Sequence, residues 1–92
     1  MTLEKDIENR LRGIVRAHGG KCMKWVSPGN SGVPDRIVLL PGGRIIFVET
    51  KRPKGGRVPG LQRFWHRKLQ ELGFTAVFIF DQDDLEAFKA CL

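Results

Sequence analysis

The 92-residue sequence predicts one α/β domain, spanning residues 1–92, with its elements in the order α-β-β-β-α-β-α. Three observations carry that expectation. Apolar residues recur at helical spacing in three separate segments, short apolar runs of strand type lie between them, and no internal repeat or low-complexity tract interrupts the order. With 41% hydrophobic and 28% charged residues the composition is that of an ordinary globular chain, and no segment is apolar for long enough to cross a bilayer.

The first helix is read from Leu3, Ile7, Leu11, Ile14 and Val15, with Thr2 as a candidate N-cap and Gly19-Gly20 as the stop. Lys21 to Val26 has strand character, and the following SPGNSG stretch has the residues of an irregular loop. The runs RIVLL and RIIFVET are apolar on both alternating faces, as expected of central strands covered on both sides, and Pro41-Gly42-Gly43 joins them as a hairpin. RPKGGRVPG then reads as a basic surface loop. Leu61, Phe64, Trp65, Leu69 and Leu72 outline the second helix, stopped by Gly73. TAVFIF is the last strand, and acidic residues opening DQDDLEAFKACL favour a terminal helix with Leu85, Phe88 and Leu92 on one face.

Charge and cysteine content narrow the function classes. Sixteen Lys and Arg against ten Asp and Glu leave a net +6, which favours a polyanionic partner through counterion release. Cys22 and Cys91 form no C-x-x-C pair, so zinc and redox motifs are unsupported and buried thiols are expected. The N-terminus lacks the basic and apolar regions of a secretory signal, so a cytoplasmic location is expected. His18 and His66 have no acid or cysteine partner at useful spacing and read as surface residues; Trp65 reads as core.

Side chains alternate along a strand, so Glu49 and Lys51 share a face and Thr50 takes the other. A three-residue Pro41-Gly42-Gly43 link pairs Leu40 with Arg44 and therefore sets Asp35 opposite Glu49; a two-residue link would set Thr50 there. Pro41 and Gly43 suit a type I turn closed by a left-handed glycine, which favours the first register. Two carboxylates side by side on an apolar sheet repel unless a cation lies between them. A hard divalent ion such as Mg²⁺ binds through one or two carboxylates, keeps exchangeable waters and acidifies them, which is the chemistry of a phosphodiesterase. Lys51 could orient that nucleophile and bind the phosphate. Arg52, Lys54 and Arg57, with Arg63, Arg67 and Lys68 on the next helix, form a candidate phosphate-binding rim, and Asn30 and Ser31 are candidate DNA contacts in the loop before Asp35.

Pro34-Asp35 followed by Glu49-Thr50-Lys51 resembles the PD-(D/E)xK signature of a nuclease superfamily with an α-β-β-β-α-β core, a mixed sheet flanked by helices. With Gly32-Val33-Pro34-Asp35, Phe47-Val48-Glu49-Thr50-Lys51 and Gln62 opening the next helix, the pattern is similar to the VRR-NUC family, virus-type replication and repair nucleases, over nearly the whole chain. The resemblance implies that Asp35, Glu49 and the Thr50 backbone carbonyl hold Mg²⁺ or Mn²⁺, that Lys51 is the catalytic lysine and that Gln62 helps hold the site or substrate. It also implies an acid from the first helix. Glu4, about 20° from Leu11 around the helix, is the first choice and Glu8 the second.

The expected function is that of a Mg²⁺-dependent, structure-selective DNA endonuclease of Holliday junction resolvase type, with phage or prophage origin implied by the resemblance. No membrane and no small-molecule cofactor beyond the metal are expected. Symmetric cutting of a four-way junction needs two sites, so a C₂ homodimer is expected, with Phe74, Phe78, Phe88 and Leu92 as its apolar patch or as core. The alternatives are a non-catalytic nucleic-acid-binding module and a flap- or RNA-directed nuclease.

Overall fold

The computed structural model describes residues 4–53 and 55–92. Thr2 and Leu3, taken for the start of the first helix, and Lys54, taken for the phosphate rim, lie outside the described residues. The elements are α1 (Glu4–Ala17), β1 (Lys21–Lys24), β2 (Arg36–Leu40), β3 (Arg44–Thr50), α2 (Gly60–Glu71), β4 (Thr75–Ile79) and α3 (Gln82–Ala90). This is the expected order. The strands form one mixed sheet in the order β1-β2-β3-β4, antiparallel except for the parallel β3–β4 pair. That parallel pair requires a crossover, which α2 supplies.

α1 buries the stripe its sequence spells out, since Ile7, Leu11 and Val15 are fully buried. They pack with Val38, Leu40, Ile46, Val48, Ile79, Leu85 and Phe88 on one face of the sheet. Each such side chain contributes roughly 1.5–3 kcal/mol relative to exposure. The helix ends in a Schellman motif: Gly20 N–H donates to the Val15 carbonyl (2.9 Å) and Gly19 N–H to that of Arg16 (3.0 Å). The same pair of bonds closes α2, from Phe74 to Leu69 and from Gly73 to Gln70, each 3.0 Å. At α3, the Asp81 side chain accepts from Asp84 N–H while the Asp84 carboxylate accepts from Phe80 N–H.

The opposite face is less well covered. Phe47, Leu69 and Ala76 form a second, smaller core with Trp25 and Ile37 against it. Leu39 and Ile45 are each 38% exposed, so the expectation that the hairpin strands are covered on both sides holds only toward their Asp35 and Glu49 end. α2 also departs from its sequence reading. Leu61, Phe64 and Leu72 are exposed, and the helix is held instead by Leu69, by Trp65 and by His66. His66 is buried, against the expected surface position, because its ring stacks on Phe78 at 3.7 Å and its nitrogens lie 3.0 and 3.1 Å from the Gln62 and Val77 carbonyls. Of the residues considered for an apolar patch, Phe88 belongs to the core, Phe78 stacks on His66, Leu92 packs against the core edge, and Phe74, partly exposed, meets Phe47 edge to face at 5.4 Å.

The hairpin register depends on the three-residue link. Leu40 pairs with Arg44 and Arg36 with Val48, and Gly42 and Gly43 both have positive φ (81° and 76°), which only glycine adopts without strain. Two left-handed glycines replace the one expected.

Candidate active site

Continuing that register by one residue brings Asp35 opposite Glu49, and the atoms agree. The Asp35 amide N–H donates to Glu49 Oε1 at 3.1 Å. Asp35 then turns its own carboxylate across the end of the hairpin, where Oδ1 accepts from the Thr50 amide (3.3 Å) and Oδ2 from the Thr50 hydroxyl (3.2 Å). Pro34 is fully buried beneath it. The Trp25 amide donates to the Asp35 carbonyl at 2.8 Å, so the residue is fastened on both its main-chain groups.

Thr50 is fully buried and points to the α1 face, as alternation requires. Its hydroxyl also contacts Glu8 Oε1 at 3.1 Å, and Glu8 Oε2 accepts from Arg36 at 3.2 Å. Arg36 and Glu8 are both partly buried, and the bond is a charge-assisted one. Glu4, one turn earlier on the same helix, joins them: Glu4, Glu8 and Asp35 each offer a carboxylate oxygen within 4.8 Å of the others. Both helix acids considered in the sequence, Glu4 and Glu8, thus lie at Asp35.

Glu49 is 7% exposed and stands beside this group rather than inside it, on the face it shares with Lys51, whose Nζ lies 3.6 Å from Glu49 Oε2. Simple parity across the hairpin placed the Asp35 and Glu49 side chains together; the turn of Asp35 toward Thr50 moves its carboxylate to the helix acids and leaves its backbone amide with Glu49. Helix acids were legible only as candidates, because the tilt of α1 over the sheet cannot be read from spacing.

The electrostatics follow from this crowding. Burial, then repulsion from Asp35, raises the Glu49 carboxyl to about 7, partly offset by Lys51 and the Asp35 amide. Burial also raises the Asp35 carboxyl, opposed mainly by its two Thr50 bonds. Among the described residues Arg36 pairs with Glu8 and Lys51 with Glu49. Gln62, in the first turn of α2, buries an Oε1 that has no hydrogen-bond partner among the described residues, an acceptor awaiting a donor. An all-oxygen donor set of carboxylates fits a hard divalent cation and not a thiolate- or imidazole-seeking one.

The remaining predicted residues are surface groups and loop contacts. Arg52, Arg57, Arg63, Arg67 and Lys68 are exposed, and Arg52 donates to the Gly55 carbonyl at 3.3 Å. Asn30 donates to the Ser27 hydroxyl, and the Ser31 carbonyl accepts from the Trp65 indole at 2.9 Å, so this loop is tied to α2. Sequence reasoning missed Arg36, the residue after Asp35, whose pairing with Glu8 depends on a contact between residues 28 positions apart.

The comparisons with known proteins bear on the fold and the family. No protein-family model matches the chain. It is 46% identical over 80 residues to the protein named "Putative nuclease p44" of Acyrthosiphon pisum secondary endosymbiont phage 1, a match covering 87% of this chain and 85% of that one. It also superposes on a solved structure described as a VRR_NUC domain with a TM-score of 0.86, at 26% identity, over 95% of this chain and 94% of the other.

Proposed function

The chain belongs to the VRR-NUC family of nucleases, and from that premise we propose that it is a Mg²⁺-dependent DNA endonuclease acting on branched DNA. The observation that carries the reading is the convergence of Glu4, Glu8 and Asp35 at one end of the sheet, with Glu49 and Lys51 beside them. A pure binding module gains nothing from buried carboxylates near phosphate, since they repel the partner and destabilise the fold.

In this reading Asp35, Glu4, Glu49 and the Thr50 carbonyl would be the residues that hold the divalent ion. When bound, the ion supplies Lewis-acid polarisation of the phosphate and a water acidified for attack. Glu8 keeps Thr50 in place by accepting its hydroxyl while Arg36 holds Glu8. Lys51, anchored by Glu49, orients the attacking water and draws the phosphate oxygen toward its ammonium group. The orphaned Gln62 oxygen accepts from that water or from a substrate donor. The exposed cations Arg52, Arg57, Arg63, Arg67 and Lys68 track the phosphates on either side.

One chain offers one such site, so paired cuts across a four-way junction call for a C₂ homodimer. A phage-borne relative is consistent with action on replicating or recombining DNA in a bacterial cytoplasm. The test is a panel of labelled four-way, flap, nicked, duplex and single-stranded DNAs and an RNA duplex, incubated with Mg²⁺ or with EDTA. Magnesium-dependent cutting of the branched DNAs supports the proposal. Preference for RNA or for flaps alone would replace the junction assignment, and absence of any cutting would overturn the enzyme.

A further inference from the structure

The solvent-facing side of α2 carries a feature that metal-ion hydrolysis does not use. Phe64 is 52% exposed, and Leu61, one turn before it, is 56% exposed. Phe64 is nonetheless braced. Trp65 meets it edge to face, with ring centroids 5.4 Å apart at 84°, and Trp65 is itself fixed by donating its indole N–H to the Ser31 carbonyl at 2.9 Å. Its neighbour is thus an aromatic ring anchored to the loop that leads into the site.

That loop also packs on the start of the helix that carries Phe64. Gly32 (φ 88°), three residues before Asp35, packs so closely on α2 that a Cβ there would lie 2.7 Å from Leu61 Cβ. Phe64 lies one helical turn from that contact, about 4.5 Å further along the axis. Gln62, between the two, turns its side chain into the buried interior. The flank that carries Phe64 therefore begins where the Asp35 segment meets the helix.

The chemistry around the ring selects its occupant. Arg63 and Arg67, both exposed, lie one residue before and one turn after Phe64. An exposed aromatic ring with guanidinium groups on the same helix suits an unpaired base, with the ring stacking and the cations taking the flanking phosphates.

We propose that Phe64 is a stacking platform for an unpaired nucleobase beside the scissile phosphate, and that it selects DNA with an unstacked or branched base over continuous duplex. The location of the cut rests on the nuclease reading above; the binding itself does not. The test uses the full chain, wild type and Phe64→Ala and Phe64→Trp, with DNAs carrying 2-aminopurine at an unpaired branch position or within a continuous duplex, binding being followed in Ca²⁺ without turnover and cutting in Mg²⁺. Phe64→Ala is expected to weaken binding to the unpaired-base DNA about tenfold, as the loss of one base–aromatic stack implies. It should abolish the quenching of 2-aminopurine and change duplex binding less than about twofold, while Phe64→Trp restores both signals. Equal loss on both DNAs, or no loss on either, overturns the proposal; so does a wild-type dimer that Phe64→Ala converts to a monomer, which would make the patch a subunit contact. A wild type that binds with quenching but cuts nothing would refute the nuclease reading and leave the platform supported.

Discussion

Replacing Glu49 with Gln should stabilise the metal-free protein at alkaline pH while removing its activity. The Glu49 carboxyl is raised from 4.5 to about 7 by burial and by Asp35, so above neutrality the fold carries a carboxylate that its surroundings resist. Because the folded protein retains a proton that the unfolded chain has released, the destabilisation is absent below pH 4.5, grows as pH rises and is complete above about 7. At 1.36 kcal/mol per unit the gap corresponds to roughly 3 kcal/mol. Gln keeps an oxygen for the Asp35 amide but turns an NH₂ toward Lys51, which trims the gain to about 2 kcal/mol, or on the order of 10 °C in melting temperature for a domain this small. Thermal melts in EDTA at pH 5 and pH 8 read it directly. The variant should match wild type at pH 5 and exceed it at pH 8. Equal or lower melting at pH 8 would refute the argument that burial and Asp35 disfavour the Glu49 charge.

Other expectations follow from the same contacts. Mg²⁺ added at pH 7 should raise the melting temperature and release protons, because Asp35 and Glu49 both bind protons more tightly in the metal-free fold than they ordinarily would; calorimetry in two buffers of different ionisation enthalpy counts them, and heat independent of buffer would contradict it. Arg36→Met should cost about 1–3 kcal/mol without metal, since Glu8 loses its charged donor, and a wild-type denaturation curve would show that the pair is idle. Gly32→Ala should cost roughly 1–3 kcal/mol through its left-handed φ and the collision with Leu61, measurable by urea denaturation, and should separate the Asp35 loop from α2.

The element order was legible in the sequence because periodicity is a local property. Ile7, Leu11 and Val15 announce α1, and the two strand runs announce the hairpin. The pairing of Asp35 with Glu49 was legible through one countable quantity, the three-residue Pro41-Gly42-Gly43 link. What spacing could not supply was the direction of side chains at element ends. Asp35 lies just outside β2 and so escapes strict alternation, turning toward Thr50 and the helix acids. Arg36 reads as an ordinary strand residue until α1 lies across it and supplies Glu8. α2 misled for a different reason: its apolar periodicity is real, but three of the five residues in that stripe, Leu61, Phe64 and Leu72, are exposed while His66 is buried against Phe78. Periodicity identifies a helix and cannot say which of its faces the sheet will cover.

The central claim is that these acids hold the ion that drives phosphodiester hydrolysis. The most direct measurement is the single-turnover cutting rate of a labelled four-way junction as Mg²⁺ is titrated, for wild type and for Asp35→Asn, which keeps the side chain's shape and removes its charge. The account predicts saturable Mg²⁺ dependence in wild type and a rate lower by at least about a hundredfold in the variant at every Mg²⁺ concentration. Cutting by wild type that persists in EDTA, or equal rates for the two proteins, would contradict it.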